Sequence, residues 1–442
     1  MGHGASLGRE HRDLADRLQH GTAAMVEPHD PAAQAAWQEI LEILFSPEDA
    51  ALAARLPVLP TPLETLASRT GLDRESLRRQ LDAMADRGLV LDLTDAAGTT
   101  TYMLAPPMIG FFEFSMMRLS DGLPKERLAT AYHAYLEDDL SFLDELSGAD
   151  TLMSRTLVHE STLYDDLLST VLDWELATAH VGEARRVSVT NCYCRHKARH
   201  LDAGCDYALE SCMSLGGAAD YLIRHGLGRE ISRQEGVELL TAAREGGLVH
   251  IADNVQHDIA YICSCCSCCC AELQSVRVDK AIVLPSGFQP AGDAKKCTGC
   301  GRCARACPVQ AISLVSRGVR ETDGGTHGGA DGGESSRRLL SRIDYGRCLG
   351  CGVCAGACRH DALKMERRPQ PPQVPLNVVE FATRRMIERG RLADLLVDGT
   401  AGRGPAFANA VLGALLSLPP AERLMASEQV RSRFVRFALA KR

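Results

Sequence analysis

The sequence has no cysteine outside four short segments, although it contains 18 cysteines in 442 residues. A disulfide scaffold would scatter its cysteines, so this grouping argues against one and predicts metal binding in a reducing compartment. The N-terminal residues contain no apolar segment of the kind found in secretory signals. No apolar stretch of the sequence is long enough to span a bilayer. We therefore expect a cytoplasmic protein without a membrane span.

Other missing features narrow the possible functions. The net charge of −8 gives no general attraction to nucleic acid, so nucleic acid is not expected as a partner. The sequence has no dinucleotide-binding fingerprint, no nucleophile elbow and no flavin motif. We therefore predict no catalytic residue, and the patterns favour a non-catalytic subunit over an enzyme.

Two cysteine runs with the same spacing dominate the second half of the chain. The first run, C-x-x-C-x-x-C-x-x-x-C-P, begins at Cys297, and the second begins at Cys348 with Arg359 in the place of the proline. Small residues between the cysteines let the backbone wrap closely around a cluster. These are Gly299, Gly301, Gly350 and Gly352.

The two runs resemble the bacterial two-cluster ferredoxins, in which the fourth cysteine of each run serves the other cluster. The resemblance implies two [4Fe–4S] clusters. By this resemblance, the ligands of one cluster are Cys297, Cys300, Cys303 and Cys358. The ligands of the other cluster are Cys348, Cys351, Cys354 and Cys307. Zinc is the alternative, although zinc sites usually show two separated C-x-x-C pairs. The Gly/Asp/Ser-rich insertion 317–337 predicts a mobile surface loop between the runs.

Ten further cysteines lie ahead of these runs. They are Cys192, Cys194, Cys205, Cys212, Cys263, Cys265, Cys266, Cys268, Cys269 and Cys270. Because neighbouring cysteines point in different directions, we expect 263–270 to divide its ligands between two centres, each completed from the four upstream cysteines. Three interpretations stay open: one or two further iron–sulfur clusters, a zinc site, or a thiol/disulfide redox site.

Other polar residues in this middle region could belong to such a site. Alternative ligands are His196, His200, His250 and His257, although a lone histidine is more often hydrogen-bonded or on the surface. Arg195 and Lys197 could donate to cluster sulfurs or could face solvent.

Residues 31–118 predict a winged-helix-like domain, with two helices ending at Gly71 and Gly88 followed by two strands. A DNA-binding role would use Arg74, Arg78 and Arg79 as contacts. Within 33–105, however, 11 acidic residues outnumber 6 basic ones. The charge therefore favours docking to protein over binding to DNA.

The C-x-C-R motif at Cys192, the segment "GLVH" and the cysteine-rich segment 263–270 resemble an incompletely characterised family of bacterial and archaeal iron–sulfur proteins. In that family a winged-helix-like front precedes a two-cluster ferredoxin module. The similarity extends over most of residues 36–365.

These observations together predict an α+β, multidomain fold. The expected parts are a disordered leader 1–30, a winged-helix-like domain 31–118, a helical Cys-rich metal-binding domain 119–290, a two-cluster ferredoxin domain 291–366, and a Pro-rich spacer with a helical tail 367–442. The predicted function is a relay of low-potential single electrons from a ferredoxin or flavoprotein donor to a catalytic oxidoreductase subunit of anaerobic type, within a hetero-oligomer. Two alternatives stay open: a redox-sensing winged-helix transcription regulator, and a catalytic metal site built from the middle cysteines.

Overall fold

The computed structural model describes residues 7–94, 98–164, 167, 170–316, 339–396, 411 and 412. Within them the chain is a mixed α/β protein of several domains. The predicted loop 317–337 lies outside the described residues, as does most of the predicted helical tail beyond residue 396.

Three helices open the described chain: α1 (Arg9–Leu18), α2 (Pro31–Leu44) and α3 (Pro47–Ala53). The prediction of a disordered leader is wrong for the described part of residues 1–30, because α1 buries Leu14 and Leu18 completely or nearly so. Its polar residues misled the prediction because some of them are buried with partners. The guanidinium of Arg17, for example, donates to the carbonyl oxygens of Leu56 and Pro57.

A small helical and three-stranded unit follows. Its elements are α4 (Leu63–Thr70), α5 (Arg74–Asp86), β1 (Thr61–Pro62), β2 (Val90–Thr94) and β3 (Thr100–Leu104). The sheet order is β1-β3-β2, and both pairs are antiparallel. Helix α4 ends at Gly71, whose φ of 67° lies in the left-handed region that closes many helices. Asp73 caps α5 by accepting from the backbone N–H of Ser76.

Aromatic side chains fill the core beneath this unit. Three helices carry them: α6 (Phe112–Met117), α7 (Lys125–His133) and α8 (Ser141–Ser147). The ring of Phe112 makes edge contacts with Phe111, Tyr132 and Phe142, at centroid distances of 5.1, 5.0 and 5.8 Å. The apolar segment 106–118 is therefore internal packing, and it joins the N-terminal helices to the middle of the chain.

The middle region is built on a seven-stranded sheet and is not mainly helical, which corrects the prediction for 119–290. The strands are β4 (Ser154–Leu157), β5 (Val187–Asn191), β6 (Glu210–Leu215), β7 (Arg229–Ile231), β8 (Val249–Asp253), β9 (Tyr261–Cys265) and β10 (Val283–Leu284). Their order is β10-β4-β8-β9-β6-β5-β7, and only the β10–β4 pair is parallel. All four residues of β4 are buried, as are the first four of β8, so these strands lack the alternation that identifies a half-exposed strand.

Five helices accompany the sheet: α9 (Ala177–Glu183), α10 (Tyr193–His200), α11 (Gly216–Arg224), α12 (Arg233–Glu245) and α13 (Ala271–Arg277). Helix α10 follows β5 directly, and α13 follows the cysteine-rich loop after β9. The middle cysteines therefore lie on strands β6 and β9 and in the segments that adjoin β5, β6 and β9.

The two cysteine runs lie between two strand pairs. β11 (Phe288–Gly292) pairs with β14 (Leu363–Arg367), and β12 (Ile312–Ser316) pairs with β13 (Leu339–Ile343). Short helices α14 (Arg302–Ala306) and α15 (Val353–Gly356) each contain one cysteine of a run. The strand pairing brings the two runs together although the insertion separates them in sequence.

The last described elements are α16 (Val378–Glu388) and α17 (Leu392–Leu396). The fully buried guanidinium of Arg385 donates to the carbonyl oxygens of Thr22 and Thr151, so α16 ties the end of the described chain to its beginning. Among the helices of the described part of the chain, none has the length and apolar character needed to cross a membrane.

Candidate metal centres

The cysteines of the two runs line two separate cavities. The first cavity is lined by Cys297, Cys300, Cys303 and Cys358. The second cavity is lined by Cys307, Cys348, Cys351 and Cys354. Each cavity thus takes three cysteines from one run and the fourth from the other. Four thiols that line one cavity suit a cluster with one cysteine per corner.

The two cavities differ in their exposure to solvent. Cys300 in the first cavity is exposed, and hydrogen bonding to the backbone of Arg302 lowers the pKa of its thiol. In the second cavity Cys351 and Cys354 are buried, and burial raises the pKa of Cys351 to about 12. The first cavity is therefore the one closer to the surface.

The backbone around the second cavity is tightly fitted. Gly350 has φ +67°, and a Cβ added there would collide with the carbonyl oxygen of Phe288. The hydroxyl of Ser286 donates to the carbonyl oxygen of Gly350 at 2.7 Å, and the N–H of Ser286 donates to Leu349 at 2.9 Å. This loop keeps its shape through contacts that leave no room for a side chain.

Six of the middle cysteines form one cluster, which we call the six-thiol group. Its members are Cys192, Cys194, Cys212, Cys263, Cys265 and Cys270, all buried or half-buried. Cys212 on β6 is the direct cross-strand partner of Cys263 on β9, and Cys265 follows on the same face of β9. Cys192 and Cys270 stand at the N-caps of α10 and α13, where free backbone N–H groups favour negative charge.

Hydrogen bonds link these thiols into a closed ring. Cys194, Cys212 and Cys265 alternate around it with Cys192, Cys263 and Cys270. The hydrogen bonds raise the pKa of the first three thiols, and for the second three they lower the pKa, to about 6 for Cys263. Because thiolate is the form that binds metal, half of the ring is already favoured in its ligating state.

The other four middle cysteines form a smaller cluster, which we call the four-thiol group. Its members are Cys205, Cys266, Cys268 and Cys269, with all four sulfurs within 4.8 Å of one another. The Sγ of Cys205 is 3.7 Å from that of Cys266 and 3.9 Å from that of Cys269, which is 3.5 Å from that of Cys268. The structure therefore divides segment 263–270 between two groups, each completed by upstream cysteines.

Arg195 lies between the two groups and is fully buried. Its guanidinium donates to the carbonyl oxygens of Ala208 and Ser264. Burial opposes its charge, but the negative charge at Cys192 and Cys266 prevails and raises the pKa of Arg195. Its Nε has no hydrogen-bond partner among the described residues.

Sequence reasoning did not single out two acidic side chains near the six-thiol group. The Glu272 carboxylate lies within 4.8 Å of the thiols of Cys265 and Cys270, and burial raises its pKa well above the usual range. Burial also raises the pKa of Glu113 to about 7, with a smaller contribution from the charge of Cys263. The one signal for Glu272 is its place two residues after Cys270, whereas Glu113 comes from a distant segment.

The other candidate residues lie elsewhere. Lys197 forms an ion pair with Glu137, and His196 is hydrogen-bonded to the carbonyl oxygen of Met116. The ring of His250 packs against that of His159. Among the described residues, neither candidate metal group with closely spaced ligand atoms contains a histidine.

Shared apolar packing connects the four sites in a row. Cys303, Cys307 and Cys358 pack against the buried cluster that contains Cys354, so the two cavities adjoin. A second apolar cluster contains Cys351 together with Cys265 and Cys270. A third contains Cys266 and Cys269, with Cys194 packed against it. The order is first cavity, second cavity, six-thiol group and four-thiol group.

The three arginines that a DNA-binding role would use are paired with neighbouring residues. Arg74 forms an ion pair with Glu64 at 2.7 Å, and Arg78 forms one with Glu75 at 2.9 Å. Arg79 donates to the hydroxyl of Ser76 at 3.2 Å. The exposed face of α5 therefore has a mixed charge.

Comparison with known proteins finds similarity in the region of the two cavities. Residues 296–362 match the family model described as "4Fe-4S dicluster domain". A putative ferredoxin-3 of Sinorhizobium fredii is 40% identical over 72 residues, which are 15% of this chain and 66% of the relative. Subunit I 2 of an NADH-quinone oxidoreductase of Streptomyces coelicolor is 42% identical over 72 residues, which are 16% of this chain and 34% of the relative.

The pyruvate synthase subunit PorD of Methanothermobacter marburgensis is 32% identical over 80 residues, which are 18% of this chain and 68% of the relative. The chain covers less than two thirds of the length of the ferredoxin and of the NADH-quinone oxidoreductase subunit. No solved structure matches the chain.

Proposed function

The chain belongs, through residues 296–362, to the family of proteins with a 4Fe-4S dicluster domain, and we propose that it relays single electrons to a partner oxidoreductase. One observation carries the proposal: each of two cavities is lined by four cysteines, three from one run and one from the other. A [4Fe–4S] cluster exchanges one electron at a time, which is the chemistry such a relay requires.

The cysteines that line each cavity are the proposed ligands. One cluster would be held by Cys297, Cys300, Cys303 and Cys358, and the other by Cys348, Cys351, Cys354 and Cys307. The protein contributes the burial of Cys351 and Cys354 and the fixed loop at Gly350. These features set the solvation of each site, and solvation is one of the terms that fix a reduction potential.

We further propose that the six-thiol group binds a third iron–sulfur centre. Its thiols are buried or half-buried, and Cys265 and Cys270 share an apolar cluster with Cys351 of the second cavity. Arg195, with its fixed positive charge, would offset part of the negative charge of a thiolate-bound centre.

The exposed side of the first cavity is the proposed docking site for a redox partner. Cys300 is exposed there, whereas the second cavity and the six-thiol group contain no exposed cysteine. By their names, two of the relatives are subunits of enzymes, one of an NADH-quinone oxidoreductase and one of a pyruvate synthase. We propose by analogy that the chain works as a subunit of, or an electron donor to, a catalytic oxidoreductase, with a ferredoxin or flavoprotein as the other redox partner.

We propose that residues 31–118 form a winged-helix-like domain that docks protein. The order α4, α5, β2 and β3, with α5 capped and β2 paired to β3, supports this assignment. The wing strand β2 is held against the middle of the chain, since Arg224 of α11 donates to both carboxylate oxygens of Asp92. A wing fixed in this way, beside an α5 of mixed charge, favours docking over DNA binding.

Electron transfer can be measured directly on the full chain. Protein purified without oxygen is reduced with dithionite, freed of reductant and mixed with cytochrome c as a one-electron acceptor. We expect cytochrome c to be reduced as the iron–sulfur absorption returns to its oxidised form. The variant Cys351→Ala should transfer fewer electrons per chain, because it lacks a ligand of the second cavity. Wild-type protein that passes no electrons to cytochrome c would rule out the relay.

A further inference from the structure

We propose that the four-thiol group binds a single zinc ion with a structural role, and does not bind an iron–sulfur cluster. The proposal concerns Cys205, Cys266, Cys268 and Cys269, which lie at the far end of the row from the first cavity. It assigns a different chemistry to this group than to the six-thiol group beside it.

The distances between the sulfurs support a single ion. A zinc ion in tetrahedral coordination, with Zn–S bonds of about 2.3 Å, places its sulfurs about 3.8 Å apart. The sulfur distances from Cys205 are 3.7 Å to Cys266 and 3.9 Å to Cys269. All four sulfurs lie within 4.8 Å of one another, so they can share one central ion.

The two cavities of the same chain provide the contrast. A cubane holds its cysteine sulfurs on the outside of a four-iron cage, much farther apart than the ligands of one ion. The four cysteines of each cavity line one shared space. Among the described residues, no three of those cysteines form a closely spaced ligand group, whereas the four-thiol group does. The chain therefore contains both an open and a closed kind of cysteine site.

The surroundings of the four-thiol group fit a structural ion. Cys205 lies in the loop between α10 and β6, and the other three cysteines lie in the loop between β9 and α13. Few apolar residues pack beneath these loops: Ala198, Ala243 and Leu248. Four thiolates leave no coordination position open for a substrate, as in structural zinc sites, and the ion would tie the two loops together.

Arg195 provides the outer contact that such sites usually have. It donates to the carbonyl oxygen of Ser264, two residues before Cys266, and its positive charge interacts with the thiol of Cys266. Its positive charge also offsets part of the double negative charge of a zinc ion with four thiolates.

The test is zinc analysis of the full chain with X-ray absorption at the zinc edge. We expect about one zinc per chain with four sulfur neighbours at about 2.3 Å. The variant Cys268→Ala, which removes the exposed ligand, should lower zinc content at least about tenfold and leave the iron content unchanged. Ser267→Ala, in the same loop, should retain the zinc.

A second variant tests whether the loss of zinc comes from the loss of a ligand and not from misfolding. Cys205→Ala changes the other loop and should lose zinc in the same way, with the ultraviolet and visible spectrum of the iron–sulfur centres intact. Wild-type protein without zinc, or loss of iron instead of zinc in these variants, would overturn the proposal. The proposed electron relay is read separately, from the iron of the two cavities, so either proposal can fail without the other.

Discussion

Cys212 and Cys263 lie directly opposite each other on neighbouring antiparallel strands, and their thiols are hydrogen-bonded. This pair forms one side of the six-thiol group. Cys265 follows on the same strand face, and the thiol of Cys192 is hydrogen-bonded to that of Cys212. Strand register, which is a property of the folded sheet, thus decides which cysteines meet. Four predictions follow from the arrangement of these sites, and a metal analysis tests the account as a whole.

The exchange of the fourth cysteine between runs can be tested by removing it. Cys307 belongs to the first run but lines the second cavity, and Cys358 belongs to the second run but lines the first. We expect Cys307→Ala to abolish or alter the spectroscopic signal of the more buried cluster, and Cys358→Ala that of the more exposed one. Electron paramagnetic resonance during a redox titration distinguishes the two signals. If Cys307→Ala instead affected the cluster that Cys303→Ala affects, the assignment would be wrong.

Because the loop at the second cavity is tightly packed, one methyl group added at Gly350 should lower both the stability and the iron content. Gly350→Ala would bring a Cβ into the carbonyl oxygen of Phe288 and would also place alanine at a positive φ. Gly71 has the same φ of +67° with no atom within 4 Å of an added Cβ, so Gly71→Ala is the matched control. We expect Gly71→Ala to cost about 1 kcal/mol from backbone strain alone.

The measurements for this pair are the free energy of unfolding and the iron content. Gly350→Ala should lower the stability by clearly more than Gly71→Ala, and it should lose about half of the iron of the two cavities. Equal effects of the two substitutions, with full iron in both, would mean that the loop can move away from the clash.

Arg195 should influence the reduction potential of the centre in the six-thiol group. Removing its positive charge disfavours the reduced, more negative form, so Arg195→Gln should lower the potential by about 60 mV or more, which is a factor of ten for a one-electron couple. Arg195→Lys, which keeps the charge, should shift the potential less. Arg199→Gln on the exposed face of the same helix is the control.

A redox titration monitored by electron paramagnetic resonance gives these potentials. The reduction potentials of the clusters in the two cavities should be unchanged in all three variants, since Arg195 lines neither cavity. An unchanged potential in Arg195→Gln would show that the guanidinium has a purely structural role.

The contacts of His225 with Asp86 and Asp92 predict that the packing of the wing strand β2 against the middle of the chain depends on pH. Burial opposes its charge, but hydrogen bonds to Asp92 at 2.9 Å and Asp86 at 2.7 Å prevail, so its pKa lies above the ordinary value of 6.5. The contribution of this charge to stability is therefore fully present below the unfolded-state pKa and is lost as the pH rises through the folded-state pKa.

Thermal unfolding of the wild type and His225→Gln, measured from about pH 6 to 9, tests this contribution. The wild type should be more stable at the acidic end, with the difference shrinking as the pH rises. His257→Gln, at an exposed histidine, should show no such trend. A difference between wild type and His225→Gln that does not change with pH would contradict the ion-pair explanation.

The cysteine spacing was the most informative part of the sequence. The spacing from Cys297 and Cys348, through the resemblance to ferredoxins, predicted which cysteines line each cavity, because runs of that spacing impose their geometry locally. It also predicted that segment 263–270 would divide between two centres. It did not predict the membership of each group, since Cys205 and Cys212 are close in sequence but lie on different sides of the division.

The seven-stranded sheet was not predicted. Two of its strands are short and largely buried, Ser154–Leu157 along its whole length and Val249–Asp253 at its first four residues, so they have no alternating pattern. The N-terminal helix was missed because it contains polar residues that usually lie on the surface. One of them, Arg17, is buried, since its guanidinium donates to two backbone carbonyl oxygens of a distant segment. Both errors concern contacts between segments that are distant in sequence, which local patterns do not contain.

The most direct test of the account is the number of iron, acid-labile sulfide and zinc atoms per chain in protein purified without oxygen. We predict at least about twelve iron with matching sulfide, eight from the two cavities and the rest from the six-thiol group, together with about one zinc. Fewer than about eight iron, with zinc in their place, would contradict the proposed relay at its two best-defined sites.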